Sequence, residues 1–201
     1  MQLGLLGRER LAFDPSFATL SRVELTDGAW IEYARDFVRG HAVLFNRLFD
    51  GVGWHETTQQ LYDKRVVTPR LIASRDDLRM PEPFLDDVAA ALSRRYDVEF
   101  DRITFALYRD GNDSVAWHRD SILRQQERGV VATVSVGEPR AFMLRPRGGG
   151  ARSLRYQLGW GDLMVMGGTT QVTWEHTVPK ARHVSGPRIA IMFRHSARLA
   201  T

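Results

Sequence analysis

In the run Val115-Ala116-Trp117-His118-Arg119-Asp120 an imidazole and a carboxylate stand two residues apart, and a second imidazole follows at His176 in Trp174-Glu175-His176. Side chains two apart on an extended chain leave the same face, so His118 and Asp120 can converge on one ion while Arg119 points away. Two imidazoles and one carboxylate occupy one face of a ferrous ion and leave the other open to reactants. A plainer reading is that Asp120 orients a neutral His118 or caps a turn. Twelve residues beyond His176 comes Arg188, opening the run Arg188-Ile189-Ala190-Ile191-Met192-Phe193-Arg194. Its even positions share one face, so both guanidinium groups face one side of a sheet. An arginine inside a barrel needs an anionic partner, and a bidentate carboxylate suits it best. A dicarboxylate that chelates the ion at one end and meets Arg188 at the other satisfies both demands. A pair of surface arginines on an edge strand is the alternative.

Residues so far apart meet only if the fold brings them together, and the periodicity indicates how. From residue 103, short alternating segments are separated by glycine, proline or asparagine: Ile103–Arg109, Val115–His118, Val130–Val136, Ala141–Arg145, Ser153–Leu158, Asp162–Met166, Val172–His176 and Arg188–Arg194. Such a series suits a double-sheet jelly roll, which sets the end of one strand beside residues far along the chain. An open sandwich of the same strands is the alternative. Trp30, Tyr33, Ala34, Phe37, Val38 and His41 recur at helical spacing after Thr26 and Asp27, which predicts a helix with His41 packed on its core-facing stripe. A second helix is predicted after Pro81, with Phe84, Val88, Leu92 and Tyr96 along one stripe. The expectation is a single domain, mainly β with flanking helices. Residues 1–100 form a helical, substrate-side extension and residues 101–201 a double-stranded β-helix (jelly-roll) catalytic core.

With 201 residues, 43% of them hydrophobic, the chain is long enough to bury a core. It has no cysteine, which excludes disulfides, thiolate metal sites and cysteine nucleophiles. Any metal must be held by nitrogen and oxygen, and a reducing cytoplasm is the expected setting. No apolar run approaches the roughly 20 residues that cross a bilayer. Met1 to Arg8 lacks a leader pattern, so a soluble, unprocessed monomer is expected. The net charge of +4 is carried by arginine, whose fork suits phosphate and carboxylate. Arg140, Arg145, Arg147, Arg152 and Arg155 surround Gly148-Gly149-Gly150, a predicted hairpin tip and candidate phosphate contact; a solvated loop is the alternative. His55 and His183 read as surface or loop residues able to flank a pocket mouth. Trp117 and Trp174 read as packing residues, Trp174 being placed to shield a metal on the face of His176.

The order of motifs resembles the AlkB family of iron- and 2-oxoglutarate-dependent dioxygenases, its bacterial members in particular. The resemblance rests on Tyr108-Arg109-Asp110-Gly111, Asp113-Ser114, His118-Arg119-Asp120, Ser135-Val136-Gly137, Gly161 through Gly168, Trp174-Glu175-His176 and Arg188 through Arg194. The likeness to the bacterial members rests on Arg145-Pro146-Arg147-Gly148-Gly149-Gly150 and on Trp174 through Lys180. A weaker likeness over Trp54 to Leu71 covers the family's substrate-side region, through Trp54, Leu61-Tyr62 and Thr68-Pro69-Arg70-Leu71. The resemblance implies that His118, Asp120 and His176 bind Fe(II), that Arg188 pairs with the distal carboxylate of 2-oxoglutarate, and that Tyr108 and Arg194 help to hold this cosubstrate. It implies oxidative dealkylation of alkylated DNA or RNA with O2 as oxidant, the target base being flipped into the pocket. Trp54, Arg145 and Arg147 are the implied substrate contacts.

The chain departs from the family pattern at several positions. Two asparagines often found beside the cosubstrate are here Ala106 and Ala190, the chain's only asparagines being Asn46 and Asn112. The acidic residue common two positions after the ligand aspartate is Ile122, and Ile72-Ala73-Ser74-Arg75-Asp76-Asp77 lacks the family's aromatic and glycine. These departures leave two other readings: a related oxygenase acting on a protein or small molecule, and an inactive jelly-roll binding module.

Overall fold

The computed structural model describes residues 10–61, 64–120, 123, 129–149 and 153–196. In chain order these form β1 (Ala12–Phe13), β2 (Ser21–Glu24), β3 (Ala29–Ala34), β4 (Val38–Arg39), α1 (His41–Gly51), β5 (His55–Leu61), β6 (Lys64–Ser74), α2 (Pro83–Tyr96), β7 (Arg102–Tyr108) and β8 (Val115–His118). The second half continues with β9 (Val131–Gly137), β10 (Arg140–Pro146), β11 (Leu154–Leu158), β12 (Asp162–Gly168), α3 (Thr170–Thr173), β13 (Trp174–Val178) and β14 (Arg188–Arg194).

Two sheets face each other as a jelly roll. The major sheet runs β2-β3-β12-β9-β14-β7-β6-β5 and the minor sheet β11-β10-β13-β8. Alternation divides the major sheet's side chains between two cores. Ile103, Phe105, Leu107, Val134, Val136, Ile189, Ile191 and Phe193 pack outward against Leu44 and Leu48 of α1 and Leu85, Val88 and Leu92 of α2. Ala106, Tyr108, Val131, Met164, Met166 and Ala190 face inward and meet Phe142, Leu144, Leu158, Trp174 and Val178 of the minor sheet. At roughly 25 cal/mol per Å² of apolar surface removed from water, this double burial dominates the folding free energy.

The second half follows the alternating pattern closely, with one correction. Thr170–Thr173 is a short helix, so β13 begins at Trp174 and not at Val172. The helix expected after Thr26 and Asp27 is not formed: Ala29–Ala34 is β3, Val38–Arg39 is β4, and the helix starts only at His41. β3 lies between β2 and β12 and is covered on both faces, Ile31 in the inner core and Ala34 in the outer, so its polarity does not alternate. Asp36 at φ 51° and Gly40 at φ 65° then break the chain, which a helix through Phe37 would not permit. The helix expected after Pro81 is present as α2, with Pro83 in its first turn. The described part of the first hundred residues thus holds six strands beside α1 and α2, and β3, β6 and their neighbours extend the major sheet.

Candidate active site

Between the sheets lies a cavity of about 790 Å³. β8 and β13 of the minor sheet pair antiparallel with His118 and His176 as direct partners, which explains how residues 58 positions apart come together. The two rings stand 4.2 Å apart between centroids, and His176 also stacks on Phe142 at 5.4 Å. Asp120 follows β8, and its backbone N–H donates to the side-chain oxygen of buried Gln171 at 2.8 Å. One ligand atom each from His118, Asp120 and His176 lies within 4.8 Å of the others.

The protonation states suit a divalent cation. His118 Nδ1 lies 2.8 Å from the carbonyl of Ala116, to which it donates, leaving Nε2 as a lone pair. Burial lowers the pKa of His118, and burial together with the neighbouring His118 takes His176 down to about 3, so both rings are neutral. Burial alone would raise Asp120. It is outweighed by the Arg194 guanidinium and by His176, which hold the carboxyl at about 2 and therefore ionised. Two neutral imidazoles and a carboxylate on one side of a cavity fit ferrous iron.

Across the cavity the inner face of the major sheet is arranged in rows. Arg188 pairs in register with Tyr108, and Ala190 with both Ala106 and Ser135. Ile72 of β6 continues the second row. Arg188 is 1% exposed and donates from Nη2 to Ser135 Oγ at 2.6 Å, while its Nε and Nη1 are buried with no partner among the described residues. Burial lowers its pKa to about 10, which still leaves it charged at neutral pH. A buried cation with two unmet donors is costly unless an anion completes it. The edge-strand alternative fails, because β14 lies between β9 and β7. The small residues Ser135, Ala190 and Ala106 beside Arg188 leave room for a ligand.

The other expected residues divide clearly. Tyr108 lines the cavity, its hydroxyl accepting from Arg70 Nη1 at 3.0 Å and its ring lying under Arg188 at 5.3 Å. Arg194 also lines it but is engaged with both oxygens of Asp120 at 3.1 Å and with Thr104 Oγ1 at 2.6 Å. Trp117 lines the cavity under Arg145, whose guanidinium sits 4.1 Å from the ring and pairs with Glu175. Arg147 is exposed at the hairpin turn. Trp54 does not reach the cavity: it packs edge-on against Phe105 and donates to the Phe49 carbonyl. Trp174 is buried in the inner core and is not among the cavity-lining residues. His55 lines the mouth, whereas His183 is an exposed loop residue. Ile122, Gly150 and Arg152 lie outside the described residues.

Arg140 requires a correction. Read as part of the hairpin tip, it is 1% exposed and donates to the carbonyls of Asp110, Asp113 and Pro179 while lying under the Tyr108 ring. It fastens the loops after β7 and β13. The glycine of that first loop, Gly111, cannot carry a side chain, since a Cβ would come within 1.9 Å of the Ala181 carbonyl oxygen. Gln171 and Thr104 carried no signal of their own in the sequence, and Ser135 and Arg70 entered only as parts of motifs in the family resemblance.

Comparison with known proteins agrees with this geometry. The family model described as the 2OG-Fe(II) oxygenase superfamily matches residues 19–194. Alpha-ketoglutarate-dependent dioxygenase alkB homolog 3 of Homo sapiens is 29% identical over 171 residues, which cover 75% of this chain and 60% of that protein. DNA oxidative demethylase ALKBH2 of Mus musculus is 31% identical over 124 residues, covering 57% of this chain and 52% of that one. The chain thus spans about 60% of the length of the homolog 3 relative. The structure of OsALKBH1 shares the fold, with a TM-score of 0.61 at 13% identity, over 87% of this chain and 100% of that one. No described helix is long and apolar enough to cross a membrane. A match that runs from before β2 to the end of β14, with AlkB homologs as relatives, means that this chain belongs to the 2OG-Fe(II) oxygenase superfamily, among its AlkB-type members.

Proposed function

We propose that the protein oxidatively dealkylates alkylated nucleobases in DNA or RNA. The observation that carries the reading is one cavity with a neutral His, neutral His and ionised Asp cluster on one wall and a buried arginine with unmet donors on the other. His118 through Nε2, Asp120 through a carboxylate oxygen, and His176 would hold Fe(II). With O2 and 2-oxoglutarate, iron supplies the oxidative chemistry: an N-alkyl carbon is hydroxylated and leaves as an aldehyde while 2-oxoglutarate becomes succinate and CO2. Arg188 would receive the distal carboxylate through its free Nε and Nη1, with the Tyr108 hydroxyl beside it. Arg194 keeps Asp120 ionised and oriented. The apolar walls at Ile72, Val131, Phe142 and Met166 keep water from the reacting carbon.

Three features favour a nucleic-acid substrate over a protein or small molecule. The net charge is +4, Arg147 and Arg155 are exposed on the β10–β11 hairpin, and the mouth carries Trp117 and Arg70, flat or forked groups suited to a base. The absence of cysteine fits a reducing compartment, and we read the enzyme as cytoplasmic. The test is succinate formation from 2-oxoglutarate in the presence of methylated oligonucleotides, unmethylated controls and methylated peptides. Stimulation by methylated oligonucleotides alone is expected; stimulation by the peptides alone would move the enzyme to the other substrate class.

A further inference from the structure

The cavity mouth holds a polar pair that the proposed chemistry does not use. His55 begins β5, beside Ile72 of β6, and its Nε2 stands 3.0 Å from Asp77 Oδ1. Both residues line the mouth. Asp77 is locked in a capping box at the end of β6, its Oδ2 accepting from the backbone N–H of Ser74 at 2.6 Å and from Ser74 Oγ at 2.9 Å. The Ser74 N–H and His55 hold its carboxyl at about 2, so it only accepts. The hydrogen of the contact therefore sits on His55 Nε2, and a neutral ring presents Nδ1 as a lone pair. The side chain is 61% exposed, so an incoming molecule can reach it.

Much of the rest of the lining consists of donors, the hydroxyl of buried Thr68, unpartnered among the described residues, being able to serve as either donor or acceptor. Arg70, with Nη1 on the Tyr108 hydroxyl, and the Trp117 indole are donors, Ser74 Oγ donates to Asp77, and the Asp120 oxygens are held by Arg194. A planar ring that satisfies this rim carries a carbonyl for these donors and an amino group for His55. We propose that His55, oriented by Asp77, is a specificity-determining residue that accepts a hydrogen bond from an exocyclic amine of the substrate base. The inference rests on the reading of the cavity as a nucleobase-dealkylation site.

3-Methylcytosine and 3-methylthymine test it: both carry a methyl on ring nitrogen 3 and a carbonyl at the 2-position, and one has an amine where the other has a carbonyl at the 4-position. Because the cytosine lesion is also cationic, the readout is the change in preference when His55 is substituted. Dissociation constants of single-stranded oligonucleotides bearing each base are measured with anaerobic Fe(II)- and 2-oxoglutarate-loaded protein, and dealkylation rates in air. The parent is expected to prefer the cytosine lesion. His55→Leu should reduce that preference at least about tenfold, the size of one hydrogen bond from a charged donor, with an unchanged thermal midpoint. His55→Gln, whose carbonyl also accepts, should restore part of it. An equal preference in His55→Leu and the parent would overturn the assignment. If the parent neither binds nor dealkylates either oligonucleotide, the dealkylation reading itself falls, and this inference with it.

Discussion

At the scale of single residues, the site is defined by which groups are charged. Burial keeps His118 and His176 neutral and available as ligands, and Arg194 keeps Asp120 ionised against the same burial. Arg188 pays the opposite way, remaining cationic with two donors unmet among the described residues. Arg188→Lys keeps the charge but loses the planar fork, so 2-oxoglutarate affinity should fall roughly 10- to 100-fold, with metal affinity nearly unchanged. Calorimetry on Mn(II)-loaded protein would measure this. An unchanged affinity would place the distal carboxylate elsewhere. Arg194→Lys should give the reverse pattern. Because Arg194 grips both oxygens of Asp120, its loss should weaken metal binding about 10- to 100-fold and leave 2-oxoglutarate affinity less affected. A larger effect on the cosubstrate than on the metal would return Arg194 to the role that the family resemblance gave it.

At the scale of elements, the pairing of β8 with β13 brings His118 beside His176, and the register of β7, β14 and β9 sets Arg188 beside Tyr108 and Ser135. Much of this was legible in the sequence. β8 and β14 fall on the segments expected: in β8 buried Val115 is followed by exposed Ala116, and β14 turns Arg188, Ala190, Met192 and Arg194 to the cavity while Ile189, Ile191 and Phe193 fill the outer core, so both alternate. β3 was not legible, because it is buried on both faces and its aromatic residues imitate helical spacing. Arg140 was misplaced for a related reason: sequence proximity to arginine-rich Arg145 and Arg147 says nothing of a guanidinium turned into the protein to meet three carbonyls. Nor could spacing show that Arg194 would face Asp120, or that Trp54 would turn to Phe105. The hairpin joining β10 and β11 carries its own prediction. Arg147 is exposed and free to meet phosphate, whereas Arg145 is held by Glu175 over Trp117. Arg147→Ala should lower the salt slope of oligonucleotide binding by about one unit. Arg145→Ala should change it less and instead weaken binding of the alkylated base through Trp117. Equal slopes for the parent and Arg147→Ala would leave the hairpin merely solvated.

At the scale of the whole molecule, the buried site couples folding to pH. His176 titrates at about 3 in the folded protein against an ordinary 6.5, and His118 shifts the same way, so the unfolded chain binds more protons. Stability from these groups is complete above pH 6.5 and drains away as pH falls toward 3; Asp120, at about 2 against 3.8, adds a further loss below 3.8. Metal-free protein should therefore show a urea midpoint that falls steadily from pH 7 to 4, and His176→Gln should flatten the curve. A midpoint constant over that range in the parent would mean that the imidazoles are not buried in solution as they are here. The two sheets hold this cluster opposite Arg188, an arrangement that we propose removes an alkyl group from a base. The most direct test is mass spectrometry of a 3-methylcytosine oligonucleotide after incubation with Fe(II), 2-oxoglutarate and air, with succinate counted in the same sample. The oligonucleotide should lose one methylene, with one succinate for each base restored, and neither product should form with His176→Ala. Succinate formed over an unaltered oligonucleotide, or repair that survives His176→Ala, would contradict the proposal.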